Sequence, residues 1–191
     1  MFKKIQYNSP VALTFALVSF ATLVLGYFTN GHTTDLLFCV YTSSLLDPLT
    51  YIRVFAHVLG HSSLEHYLSN MLLLLVLGPQ LEERYGSKNL LGAIAVTAFV
   101  SGVLQMVFFP GIGLLGASGV VFMMISMASL GGMKEGRIPL TLIFVLIFYL
   151  GGELLSGVSA ADNISQMAHI VGGICGAIAG YALRTGKKPR R

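Results

Sequence analysis

Charge is what this sequence has least of. Of its 191 residues only 10% are Asp, Glu, Lys or Arg, against about 25% in an ordinary soluble domain. A soluble protein of this size would lack a polar coat. That shortage excludes a soluble globular enzyme, a disordered regulator and a nucleic-acid binder. Cysteine is scarce too: Cys39 and Cys175 are too few for a disulfide framework and lack zinc-finger spacing. There is no linker, no second domain and no internal repeat, so residues 1–191 read as one domain. What fills the chain is apolar, 54% of residues, together with 22 glycines. The composition is that of an all-α, polytopic membrane protein with the lipid bilayer as its surroundings.

A bilayer core about 30 Å thick takes roughly 20 apolar residues per helix. Six segments qualify: Pro10 to Phe28, Ser63 to about Leu81, Leu90 to Phe109, the brief Ser118 to Gly132, Ile138 to Leu155, and about Gln166 to Leu183. Lys3 and Lys4 suit a signal peptide, but no small-x-small cleavage site follows the first apolar run, which reads as a retained anchor. Under this topology 11 of the 12 basic residues fall on one side, leaving only Arg53 opposite. Both termini are therefore expected to be cytoplasmic, with the tail Lys187-Lys188-Pro189-Arg190-Arg191 a topology determinant first and an anionic-lipid contact second. Residues 29 to 62 form a long first outer loop, apolar enough to be structured at the interface.

Ionisable side chains inside a membrane are costly and mark functional candidates. His66 and Asn70 lie on the second span, Ser118 on the fourth and His169 on the sixth. These spans run in the same direction, so their depths compare directly. From His66 to Glu82 is 16 residues, from Ser118 to Lys134 also 16, and from His169 to Arg184 is 15. All three stand about 22–24 Å above the cytoplasmic flank at helical rise, several ångströms below the outer surface. Asn70 lies one turn deeper on the face of His66. Ser62-Ser63-Leu64-Glu65 fits a capping box with Ser62 as N-cap. Gly172, Gly176 and Gly180 share a helical face with His169, a stripe that lets another helix approach closely.

Ser118 stands at a helix start between Gly116 and Gly119, where first-turn N–H groups point at any oxyanion that forms. A serine nucleophile needs a base, and an imidazole is the usual one. His169 is the only histidine on a late span. His66 and Asn70 can then donate to the oxyanion beside the Ser118 amide. No carboxylate sits within the turn before or after His169; Asp162 is seven residues earlier, expected in the outer loop, which favours a Ser–His dyad over a triad.

The combined pattern resembles the rhomboid family of intramembrane serine proteases. The matching residues are His66-Tyr67-Leu68-Ser69-Asn70 for its His-x-x-x-Asn, Gly116-Ala117-Ser118-Gly119 for Gly-x-Ser-Gly, and Ala168-His169 with Gly172 and Gly176 for the last-helix motif. Arg53-Val54-Phe55-Ala56-His57 looks like the first-loop Arg motif, and Glu82-Glu83-Arg84-Tyr85-Gly86 like Glu-x-x-x-Gly. The resemblance spans about residues 50 to 183. It implies a six-transmembrane-helix rhomboid-like bundle in which Ser118 is the nucleophile, His169 the base, and His66, Asn70 and the Ser118 amide the oxyanion hole. It also implies that Arg53 and Glu82 are structural, that the substrates are transmembrane segments of other proteins cut near the outer face, and that no cofactor or metal is needed. The compact core without an additional cytosolic domain is expected in a bacterial cytoplasmic membrane. One departure stands out: Phe122 occupies the position where bacterial relatives often carry a Tyr stacked on the catalytic histidine.

Other patterns carry less. Gly111-Ile112-Gly113-Leu114-Leu115-Gly116 matches a dinucleotide fingerprint, but a membrane helix precedes it where a strand is required, so it reads as a flexible loop leading to Ser118. His57, His61, Glu65 and His66 lack metal-binding spacing and read as interfacial polar packing. Cys175 lies about 9 Å deeper than His169, so a bond to Cys39 is not expected. Glu153 reads as interfacial. A transporter or channel would need polar residues through the inner halves of the spans, which have almost none. A non-catalytic, client-binding relative would lack Ser118 or His169, and both are present.

Overall fold

The computed structural model describes residues 6–132 and 160–183, with residues 140, 143 and 147 between them. Among these residues the fold is all-helical, with seven α-helices and a single isolated bridge between Val40 and Leu114. The helices are α1 (Pro10–Phe28), α2 (His32–Leu37), α3 (Pro48–Ala56), α4 (Leu64–Tyr85), α5 (Ser87–Phe108), α6 (Ser118–Gly132) and α7 (Ala160–Ala182), with a 3-10 turn at His57–Leu59 after α3. Two of them, α1 and α5, are long and apolar enough to cross a membrane, and Ser118–Leu130 is a shorter apolar helix.

Helices α1 and α6 have the bounds expected from the sequence. Helix α4 starts one residue later than expected. Its N-cap is Ser63, extended at φ −153° and ψ 164°, whose side chain accepts from the His66 amide. Glu65 thus falls one position short of the site that closes a capping box. Helix α7 starts at Ala160 rather than near Gln166, because the polar stretch read as outer loop continues the helix; Asp162 lies within it. Of the expected fifth span only Leu140, Ile143 and Ile147 are described; the rest of it with Glu153, together with Lys3, Lys4, Lys134, Arg137 and residues 184–191, lies outside the described residues.

Helix α6 is the centre of the packing. Val120, Val121, Phe122, Met123, Met124, Ile125 and Met127 are all buried, and a helix apolar on every side belongs inside. Leu74 and Leu81 of α4 and Leu90 of α5 complete the core around it. Helix α7 makes its main contact with α6. A side chain at Gly172 would collide with the carbonyl of Gly119, and one at Gly176 with the carbonyl of Met123. Only hydrogen fits at these two positions, so the glycine stripe sets the interhelical distance.

At the far end from Ser118, Glu82 ties three helices together. One carboxylate oxygen accepts from the Ser9 hydroxyl and, at 3.0 Å, from the Ala12 amide. The other accepts from the Val11 amide at 3.2 Å and from Ser87 Oγ at 2.7 Å. Glu82, near the end of α4, therefore caps the start of α1, whose first N–H groups have no intrahelical partners, and holds the start of α5. Tyr85 adds a bond from its hydroxyl to the Met127 carbonyl at 3.1 Å. Replacing Glu82 by Ala leaves these donors buried and unanswered, at an expected cost of about 3 kcal/mol. The thermal unfolding midpoint in detergent should drop clearly for Glu82→Ala and less for Glu82→Gln, which keeps one acceptor oxygen. An unchanged midpoint in Glu82→Ala would refute the cap.

Candidate active site

The loop of residues 29 to 62 is ordered around one buried cation. Arg53, 2% exposed, bonds Asp47 at 2.6 Å, the Leu36 carbonyl at 3.2 Å and Ser43 Oγ at 3.3 Å, and its guanidinium lies 4.7 Å above the Tyr41 ring. Asp47 in turn caps α3 by accepting from the Leu49 amide at 3.0 Å. That amide first, and Arg53 second, hold the Asp47 carboxyl below its usual range.

This loop braces the approach to Ser118. Val40 and Leu114 exchange both backbone bonds, at 2.9 and 2.8 Å, and the His57 carbonyl accepts from the Gly116 amide at 2.9 Å. Gln105 Nε2 donates to the Ile112 carbonyl at 2.8 Å. Residues 111 to 116, the glycine-rich stretch of the sequence, are thus pinned from α5 and from the first loop. Cys39 sits buried against Gly113; burial pushes its thiol up to about 11, which leaves it protonated and a poor nucleophile at neutral pH. Both cysteines are free.

Ser118 is half-buried at the first position of α6. Gly116, two residues before it, has φ +126°, a backbone conformation that side chains resist. The His66 ring lies directly against it: a Cβ at Gly116 would stand 2.9 Å from both Cε1 and Nε2. His169 is buried on α7 and its ring stacks on Phe122, one turn along α6 from Ser118, with centroids 4.4 Å apart and planes 17° from parallel. The face-to-face contact is therefore made without a tyrosine hydroxyl. Gly119 meets the backbone of Ala168 and Gly172. Asn70 is buried one turn along α4 from His66, donating from Nδ2 to the His66 carbonyl at 3.0 Å. The fold thus brings His66 to Gly116 just before α6 and His169 to Phe122 in its first turns, with Asn70 one turn along α4 from His66, whereas Arg53 serves the first loop and Glu82 the far end.

Two further histidines lie behind His66. His57 is buried, donating from Nδ1 to the Val54 carbonyl at 3.1 Å, with Nε2 3.3 Å from Ser101 Oγ. His61 donates from Nδ1 to the Leu59 carbonyl at 3.2 Å and stands edge-on to His66. The Ser101 partner escaped the sequence reading, because nothing local links residues 44 positions apart.

Burial pushes His57 down from 6.5 to about 4. Burial, with the nearby His66 second, pushes His61 down to about 4 as well. Both are neutral when folded, yet in the unfolded chain they protonate near 6.5. The unfolded state then binds more protons between those values, so stability is complete above pH 6.5 and declines as pH falls toward 4. The unfolding midpoint in detergent should fall steadily across that window, and the slope should be shallower in His57→Gln. A midpoint flat from pH 7 to 4.5 would contradict the neutral, buried imidazoles. A family model described as the Rhomboid domain matches residues 48–186 of the chain.

Proposed function

Because this chain belongs to the rhomboid family of intramembrane serine proteases, we propose that it is an intramembrane serine endopeptidase working through a Ser118–His169 dyad. The observation that carries the reading is the pair of imidazoles near the start of α6, His66 against Gly116 and His169 stacked on Phe122. In this mechanism Ser118 Oγ attacks the scissile carbonyl carbon while His169 takes the hydroxyl proton. The negative charge that forms on the carbonyl oxygen is met by the Ser118 amide, His66 and the free N–H of Asn70. His169 then returns the proton to the leaving amine, and the C–N bond breaks to leave an acyl-enzyme. Water, deprotonated by the same imidazole, attacks the ester and frees Ser118.

Each supporting residue has a physical task in this scheme. Gly116 provides the positive-φ turn that admits the His66 ring, and Gly119, Gly172 and Gly176 let α7 pack backbone to backbone on α6, which supports the approach of His169 to the serine. Arg53 and Glu82 serve the architecture. The protein is an integral membrane protein, as its family implies. Its proposed form is a single domain of residues 1–191 with six spans, both termini cytoplasmic and the site opening to the outer face, probed there by transmembrane segments of client proteins. The distribution of Lys and Arg along the chain supports that orientation, and a bacterial cytoplasmic membrane is the proposed location. No cofactor or metal enters the scheme.

The test is cleavage of a reporter transmembrane substrate by the purified protein in detergent with excess chelator. Wild type should cut. Ser118→Ala and His169→Ala should fall to background, and His66→Ala should lose about 100-fold or more in kcat, the usual effect of removing one oxyanion donor. Full activity in Ser118→Ala would overturn the proposal. If wild type fails to cut and Ser118 also fails to react with a fluorophosphonate, a client-binding role takes its place.

A further inference from the structure

Ser62 has no part in the mechanism above, yet it is bonded to one of its residues. Its exposed hydroxyl lies 3.2 Å from Nδ1 of His66, four positions on. Helix α4 does not need that hydroxyl, because Ser63 supplies the cap by accepting from the His66 amide at 3.1 Å. On the other side of the ring, Nε2 faces Gly116. A neutral imidazole carries a proton on one nitrogen and a lone pair on the other, and the partner of one decides the role of the other.

We propose that Ser62 is a positioning residue for the oxyanion hole: its hydroxyl donates to His66 Nδ1 and so fixes the tautomer with the proton on Nε2, facing the developing charge. The inference rests on the assignment of His66 to the oxyanion hole. With the opposite polarity, Nδ1–H would donate to Ser62, and the Nε2 lone pair would turn toward a negatively charged oxygen. That arrangement repels what the site must stabilise. The neighbouring ring cannot take over the task. His61 stands with its centroid 5.0 Å from that of His66, but its Nδ1–H is committed to the Leu59 carbonyl, leaving a lone pair on Nε2. Its pKa of about 4 keeps it neutral. Ser62 also borders a cavity of about 390 Å³, together with Asp35, His61 and Leu115. Its side chain is therefore free of close packing, and trimming it to Ala removes the hydroxyl without opening a hole in the core.

Kinetics of the full chain in detergent, with a reporter transmembrane peptide as substrate, separate these possibilities. Ser62→Ala should lower kcat about three- to tenfold, the rate equivalent of one ordinary hydrogen bond, with KM and the unfolding midpoint unchanged. Ser62→Thr, which keeps a hydroxyl, should restore kcat. In a His66→Ala background, Ser62→Ala should cost nothing more, because its effect passes through that ring alone. An equal loss in both backgrounds, or a loss that Thr does not restore, overturns the proposal. Wild-type kcat in Ser62→Ala beside an impaired His66→Ala removes the role of Ser62 alone, whereas wild-type kcat in His66→Ala removes the oxyanion assignment beneath it.

Discussion

The distance between α6 and α7 governs everything else at the site. Lipid tails are as apolar as leucine, so helices in a bilayer gain little from hiding apolar surface from water and depend on the quality of their mutual fit. Here the fit is backbone against backbone: Gly172 on Gly119 and Gly176 on Met123. With the helices this close, the rings of Phe122 and His169 meet face to face at 4.4 Å. The imidazole is thereby oriented by an aromatic surface within one turn of Ser118. A methyl group at either glycine would separate the helices and carry His169 away with α7, so packing and site geometry are a single property in this part of the molecule.

The buried charges Glu82 and Arg53 sit in two separate clusters of partners. In one, Glu82 accepts from Ser9, Val11, Ala12 and Ser87. In the other, Arg53 organises the first loop, and that loop in turn holds the chain ahead of Ser118 through Val40 and His57. Outside these clusters the core is built from Leu, Val and Met. Such an arrangement confines the expensive chemistry of buried charge to places where each group has several partners. It also gives the loop before Ser118 a brace built from the first loop.

Much of this was legible in the residues themselves. The bounds of α1 and α6 follow from their apolar runs, and the glycine stripe of α7 from helical periodicity, because both depend on spacing within one helix. The start of α4 was displaced by one residue, since Ser62 and Ser63 are equally good caps by composition and only the backbone distinguishes them. The start of α7 was misplaced by more: the polar residues before Gln166 look like loop when read without their neighbours. The bridge from Val40 to Leu114 and the contact of His57 with Ser101 had no local signal at all, being made between distant segments. Ser62 occupies a middle position. Its spacing of four from His66 is plain in the sequence, but its hydroxyl is available to the ring only because Ser63 does the capping.

The junction between α4 and α5 is a single residue, Gly86, with φ +85° and no helical turn to spare on either side. Both flanking helices are 22 residues long. One extra residue there would turn α5 by about 100° about its axis and sweep Ser101 and Gln105 off the faces that meet His57 and the loop before Ser118. Insertions in a longer surface loop are absorbed locally. At this joint the phase of a whole helix is at stake, so length variation among related sequences should be suppressed here more strongly than side-chain identity.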